Sequence, residues 1–195
     1  SRRRRPTRLA CDWMSDVGPS DLDASTGRIM DLLARLGLDE NTIVVFTSDN
    51  GPWLLMGDHG GTRGIFREGK ATTFEGGIRM PAMIWAPGRI EPGRTIEEPV
   101  IVMDVLPTVL SLAGINIPDN LDGIDLAPAL TEQAQLDPER ALFFYRSGQL
   151  RSMRKGKWKM HVPNRYVSMT QESGGVPGSG GHPGTYGRGE IGVER

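Results

Sequence analysis

The chain has 195 residues, 37% of them hydrophobic and 24% charged, which is enough apolar material for a packed core. A formal net charge of -1 offers no broad basic field for phosphates and argues against a general nucleic-acid binder. The one cysteine, Cys11, excludes an intrachain disulfide, and no apolar run of the ~18 residues needed by a membrane-spanning helix occurs.

Residues 1–17 differ in character from the rest of the chain. Arg2 to Arg5 with Pro6 read as a solvated arm, and the apolar stretch behind them is broken by charge too early for a secretory leader. Ser20-Asp21-Leu22-Asp23 resembles a helix start, with Ser20 as the expected cap. Ile29, Leu32, Leu33 and Leu36 repeat at the spacing of one buried helical face, and Gly37 is the natural stop. The β-branched run ending at Phe46-Thr47 suits a strand buried on both faces, as in a parallel sheet. Helix followed by buried strand is the order of an α/β domain.

Residues 48–79 are glycine-rich and polar and predict a long loop, a feature that is often functional in a compact domain. Met83 to Ala86 reads as a second short strand. Asp104 is placed to cap a helix through Ala113, with Pro107 in its first turn and Gly114 as its end. From residue 141 the pattern changes to short strands around Phe143, Met153 and Lys159 separated by glycine turns, which predicts an antiparallel meander. The glycine-rich stretch 163–195 holds too few large apolar residues for a core of its own. The organisation expected is thus an arm (1–17), an α/β part (18–140) and an antiparallel part with a glycine-rich tail (141–195).

The chemistry concentrates after the first strand, at Thr47-Ser48-Asp49-Asn50-Gly51. Ligands of open α/β sheets sit beyond the carboxyl ends of strands, which is where Asp49 and Asn50 are delivered. A carboxylate beside an amide carbonyl offers two hard oxygen donors of the kind calcium or magnesium prefers. Alone, Asp-Asn-Gly reads first as an Asx-type turn. A second motif, Gly69-Lys70-Ala71-Thr72-Thr73-Phe74-Glu75-Gly76-Gly77-Ile78-Arg79-Met80-Pro81, lies in the same loop region.

Together the two motifs, with Asn50 and Lys70 twenty positions apart, resemble the type I sulfatases, the arylsulfatase family. Segments such as Leu36 to Thr42, Asp104 to Thr108, Asp122 to Asp125 and Lys155 to Lys159 extend the resemblance over roughly residues 18 to 193. Pro52-Trp53-Leu54 with Gly57-Asp58-His59 is similar to a loop of many bacterial arylsulfatases. The resemblance implies an alkaline-phosphatase-like α/β fold, here partial, with a mixed sheet flanked by helices and followed by the meander. It implies that Asp49 and Asn50 are two ligands of one calcium ion and that Lys70 sets its ammonium against a sulfate oxygen. His59 reads either as a donor to the ester at the substrate entrance or as an exposed loop histidine. Glu75 and Arg79 are expected to brace the loop as an ion pair, and His161 and His182 to be a strand-end and a tail residue.

The family's nucleophile is a formylglycine made within Cys/Ser-x-Pro-x-Arg. Cys11, followed by Asp12-Trp13-Met14, does not match that motif. The expectation is therefore a fragment of a sulfatase, truncated at both ends, inactive alone and bearing part of a site for a sulfated small molecule or saccharide. Formylglycine, and a periplasmic or secreted location, are expectations for the full-length parent. Two alternatives stay open: a non-catalytic remnant, or a phosphodiesterase or phosphonate hydrolase of the same superfamily, for which Asp58-His59-Gly60 is the motivating tripeptide.

Overall fold

The computed structural model describes residues 19–192. The arginine-rich arm, Cys11 and the last three residues lie outside the described residues.

Helix α1 (Pro19–Arg35) begins one residue ahead of the expected start, so Ser20 lies inside its first turn and not at the cap position. It ends as the sequence predicts. Gly37 adopts φ +63°, and the Leu38 amide returns to the Leu33 carbonyl at 3.0 Å, closing the helix through the left-handed conformation glycine tolerates. The apolar stripe forms, but Ile29, Leu32 and Leu36 are exposed instead of buried. Periodicity specifies a face, and among the described residues nothing covers these three side chains.

Strand β1 (Val44–Thr47) pairs with β2 (Ala82–Trp85), Val45 opposite Ile84 and Phe46 opposite Met83. The pairing is antiparallel, which corrects the parallel arrangement expected from the β-branched run. The chain leaves β1, completes its glycine-rich excursion and returns directly, without the crossover that parallel neighbours require. Among the described residues each strand has one partner, and Val44 to Phe46 are half-buried and not enclosed on both faces.

Helix α2 (Glu75–Ile78) is a single turn at the end of the excursion. Helix α3 (Val105–Leu112) ends at Gly114, φ +71°, with Ile115 N–H donating to the Leu110 carbonyl at 2.9 Å. Asp104 precedes it but does not cap it. Its carboxylate turns backward, accepting the amides of Ile101 and Ile124 at 2.9 Å each and both terminal nitrogens of Arg140 at 2.8 Å. The side chain is completely buried, and the four bonds compensate the desolvated charge. Thr108 extends this junction: its hydroxyl donates to the Asp104 carbonyl and accepts the Leu126 amide, which opens α4 (Ala127–Thr131). Leu126, Ala127, Ala129 and Leu130 there form much of the buried apolar core.

The meander is present as β3 (Leu142–Arg146), β4 (Gln149–Lys155) and β5 (Trp158–His161), antiparallel in that order. The glycine-rich stretch beyond it is a second ribbon, β6 (Asn164–Ser168) paired with β7 (Gly187–Ile191). The segment connecting its two strands leans on the excursion: the amides of Gly178 and Gly184 both donate to the Leu55 carbonyl, at 3.0 and 2.8 Å.

Candidate functional site

The two sequence motifs meet through backbone. Gly51 N–H donates to the Gly77 carbonyl at 2.9 Å, and Lys70 N–H donates to the Pro52 carbonyl at 2.8 Å. The approach is so close that a Cβ on Gly51 would stand 1.9 Å from the Gly76 oxygen, and one on Gly69 would stand 2.6 Å from the Pro52 oxygen. Glycine at these positions is thus a packing requirement, and it places Asp49-Asn50 and Lys70 on one knitted loop at the end of β1.

Asp49 is exposed and Asn50 is half-buried. The Asn50 Nδ2–H donates to Asp49 Oδ2 at 2.5 Å, so the amide nitrogen, not the amide oxygen, is spent locally. Ser48 Oγ donates to the Asn50 carbonyl at 3.0 Å, and Thr47 Oγ1 donates to the Pro81 carbonyl at 3.0 Å, tying the strand end to the start of β2. These two hard oxygen donors fit a cation such as calcium as part of a set. Calcium takes roughly six to eight oxygens, and no cluster of three His, Cys, Asp or Glu side chains occurs among the described residues.

Lys70 rides on a strained pedestal. Glu68 has φ +58° and Ala71 has φ +75°, two non-glycine residues in the left-handed region on either side of Gly69-Lys70. Such conformations cost about 1–3 kcal/mol each and persist where surrounding contacts over-determine them. Here the contacts are explicit. The Glu68 carboxylate, 1% exposed, accepts Ser168 Oγ at 2.6 Å and the Met169 amide at 3.1 Å. The Arg146 guanidinium donates to the Ala71 carbonyl, and buried Thr72 donates its hydroxyl to the Gly69 carbonyl at 2.8 Å. The half-buried Lys70 directs its ammonium over the Trp53 ring, 5.7 Å from the centroid.

His59 is exposed on the 3-10 segment Leu54–Gly60. The expected Glu75–Arg79 pair does not form. Glu75 instead binds Lys159 at 2.8 Å and Arg154 at 3.3 Å, fastening α2 to the meander, while Arg79 stacks over Phe66 at 4.8 Å. Arg79 follows the turn in extended backbone (φ -83°, ψ 121°), off the helical face that would bring an i,i+4 pair together, and strands 79 and 84 residues away in sequence supply the cations to the carboxylate. Burial pushes the Lys159 ammonium below its usual range despite Glu75. His161 stacks on Phe74, 4.6 Å between centroids, and Phe74 is also flanked by Tyr166 and by Arg67, which donates to the Tyr166 hydroxyl at 2.9 Å. Burial first, then the cations Lys159 and Arg67, holds His161 below its ordinary value. His182 takes part in a bridge with Ser179 in the tail ribbon.

Sequence reasoning missed Glu68, Tyr166 and Tyr186, because each acts through a partner about a hundred or more residues away. Trp53 was visible only as part of a loop pattern.

Comparison with known proteins points to sulfate ester hydrolases. The family model "Sulfatase" matches residues 20–115. The chain is 40% identical over 164 residues to mouse (Mus musculus) N-acetylgalactosamine-6-sulfatase, covering 81% of this chain and 31% of that protein. It is 44% identical over 147 residues to bovine (Bos taurus) arylsulfatase A, covering 72% and 29%. A crystallised sulfatase from Pseudoalteromonas sp. superposes with a TM-score of 0.69 at 27% identity, covering 89% of this chain and 33% of that one. The fold is therefore part of the alkaline-phosphatase-like fold of these enzymes, and the chain spans about three-tenths of the length of the curated relatives it matches.

Proposed function

We propose that this chain, which belongs to the type I sulfatase family, supplies the Asp49–Asn50 and Lys70 side of a site at which the full-length protein hydrolyses a sulfate monoester. The observation that carries the reading is the backbone knit between the two motifs, Gly51 to Gly77 and Lys70 to Pro52, which gives a metal-type donor pair and a fixed ammonium one common support.

In this reading Asp49 and Asn50 contribute two oxygen ligands to a calcium ion, whose bound charge would offset that of the sulfate group. Lys70 places its ammonium against a sulfate oxygen, a role suited to a compact cation with three donors. The braced backbone fixes where the side chain is rooted, so that only its flexible end has to settle on the sulfate oxygen. His59, exposed on the same loop, donates to the ester from the entrance. The family relatives imply a metal cofactor; calcium, the formylglycine nucleophile of the full-length protein and a periplasmic or secreted location are parts of the proposal. The substrate class is a sulfated small molecule or saccharide, and the 195 residues alone, which hold no Cys/Ser-x-Pro-x-Arg motif, are inactive.

The test is turnover of an aryl sulfate and of a matched phosphonate ester by the full-length protein, with and without Lys70→Ala. Sulfate turnover falling about 100-fold or more in the variant supports the role. Unchanged turnover removes Lys70 from the site, and preference for the phosphonate overturns the sulfatase reading.

A further inference from the structure

Trp53 is 42% exposed, yet it is not free to move. Its amide donates to the Gly60 carbonyl at 2.9 Å, its carbonyl accepts the Met56 amide at 2.9 Å, and a Cβ on Gly60 would stand 2.0 Å from its oxygen. The indole Nε1–H donates to the hydroxyl of Tyr186, the residue just before β7, at 3.2 Å across 133 positions of sequence. A large aromatic surface is thus left open to solvent while its backbone and ring orientation are fixed from two sides. The Lys70 ammonium stands 5.7 Å from the centroid of that ring.

We propose that Trp53 is a specificity-determining platform on which the ring of a cyclic sulfate ester lies while its sulfate engages Lys70. This rests on the role given to Lys70 above and goes beyond it by assigning the remainder of the substrate. At 5.7 Å from the centroid, near the outer limit of a cation–π contact, the half-buried ammonium is held weakly by the indole, and a sulfate oxygen displaces it readily. The ring the ammonium leaves then offers a flat face to whatever carries the sulfate. Aromatic rings stack on such a face through offset or edge geometry, and a pyranose presents an apolar C–H face to it; a linear alkyl chain has no comparable plane. Tyr186 matters because a swinging indole would lose conformational freedom on each binding event, and the pinned one does not.

The experiment measures binding of an aryl sulfate, a pyranose sulfate, a linear alkyl sulfate and inorganic sulfate to the full-length protein and to Trp53→Ala, Trp53→Phe and Tyr186→Phe. Each affinity is expressed as a ratio to that for inorganic sulfate. Trp53→Ala lowers the ratio for ring esters by roughly three- to tenfold, Trp53→Phe recovers much of it, and Tyr186→Phe lowers it less than Trp53→Ala does. The ring ester whose ratio falls, aryl, pyranose or both, identifies the natural source of the ring. Ring-ester ratios that stay constant in a Trp53→Ala protein with unaltered circular dichroism overturn the platform, as does an equal fall for the alkyl sulfate. Failure of the Lys70 reading shows separately, as unchanged inorganic sulfate affinity in Lys70→Ala.

Discussion

The Gly51 amide and the Gly77 carbonyl are joined at 2.9 Å, and no side chain fits between the segments that carry them. This contact brings the end of β1 against the Glu75-Gly76-Gly77 turn, so the residues proposed to bind metal share one rigid support with the lysine proposed to bind sulfate.

Gly51→Ala is expected to break that support without altering any candidate ligand. Its Cβ would sit 1.9 Å from the Gly76 oxygen, a backbone atom that cannot rotate away. The expected cost is about 1–3 kcal/mol of stability, typical of overpacking. Denaturant titration of the full-length protein gives the first number, and a calcium titration of the folded variant should show weakened binding as well. A variant as stable as the parent would mean that the loop has another arrangement open to it.

Glu68 should be sensitive to Glu68→Ala. The carboxylate accepts from both Ser168 Oγ and the Met169 amide, and an alanine side chain offers an acceptor to neither; the hydroxyl can turn to Thr170 Oγ1, 3.2 Å away, but the amide cannot turn. Leaving one buried group unpaired costs about 1–3 kcal/mol. The local readout is hydrogen exchange at the Met169 amide, which should speed up in the variant. Exchange at the parent's rate would show that the amide does not depend on Glu68.

These relationships mark the boundary of what sequence could deliver. The stops at Gly37 and Gly114 were legible because a helix end is decided within a few residues, and both glycines adopt the positive φ that the stop requires. The meander was legible for the same reason, from short strands and glycine turns. The motif pair around Asn50 and Lys70 stood out through its resemblance to the type I sulfatases, but what it rests on could not be read there. The Glu68–Ser168 bond spans 100 residues and the Trp53–Tyr186 bond 133, and nothing in the local pattern of either partner announces the other. Glu75 was expected to pair within its own loop, and its partners came from β4 and β5. The direction of β1 against β2 was misread because a β-branched run reports burial tendency, not the path by which the chain returns.

His161 predicts a pH dependence of definite sign. Its folded value lies below the ordinary 6.5 because burial and the neighbouring cations Lys159 and Arg67 disfavour the charged ring, with Glu75 acting the other way. Below pH 6.5 the unfolded chain therefore binds more protons at this position than the folded one, so stability rises with pH through that window. The contribution is fully present above the unfolded value and is lost as pH falls through the folded one. Unfolding midpoints measured on both sides of pH 6.5 should show the slope, and His161→Phe, which keeps a ring against Phe74, should flatten it. An unchanged slope in that variant would assign the effect to another group.

Asp49→Asn separates the metal proposal from a simple turn. The substitution keeps the size of the side chain and its capacity to accept the Asn50 Nδ2–H, so a residue that only shaped the turn would tolerate it with little change in stability. It removes the formal charge from one of two proposed oxygen ligands, and calcium affinity depends on ligand charge. Calcium affinity of the full-length protein is therefore expected to fall by about tenfold or more, while the unfolding midpoint of metal-stripped protein stays close to the parent's. The difference between midpoints with and without added calcium should shrink in parallel, because a ligand that binds only the folded state stabilises it by the logarithm of one plus its concentration over its Kd. If the metal-free midpoint drops and the calcium affinity holds, Asp49 is a turn residue and the cation is held elsewhere.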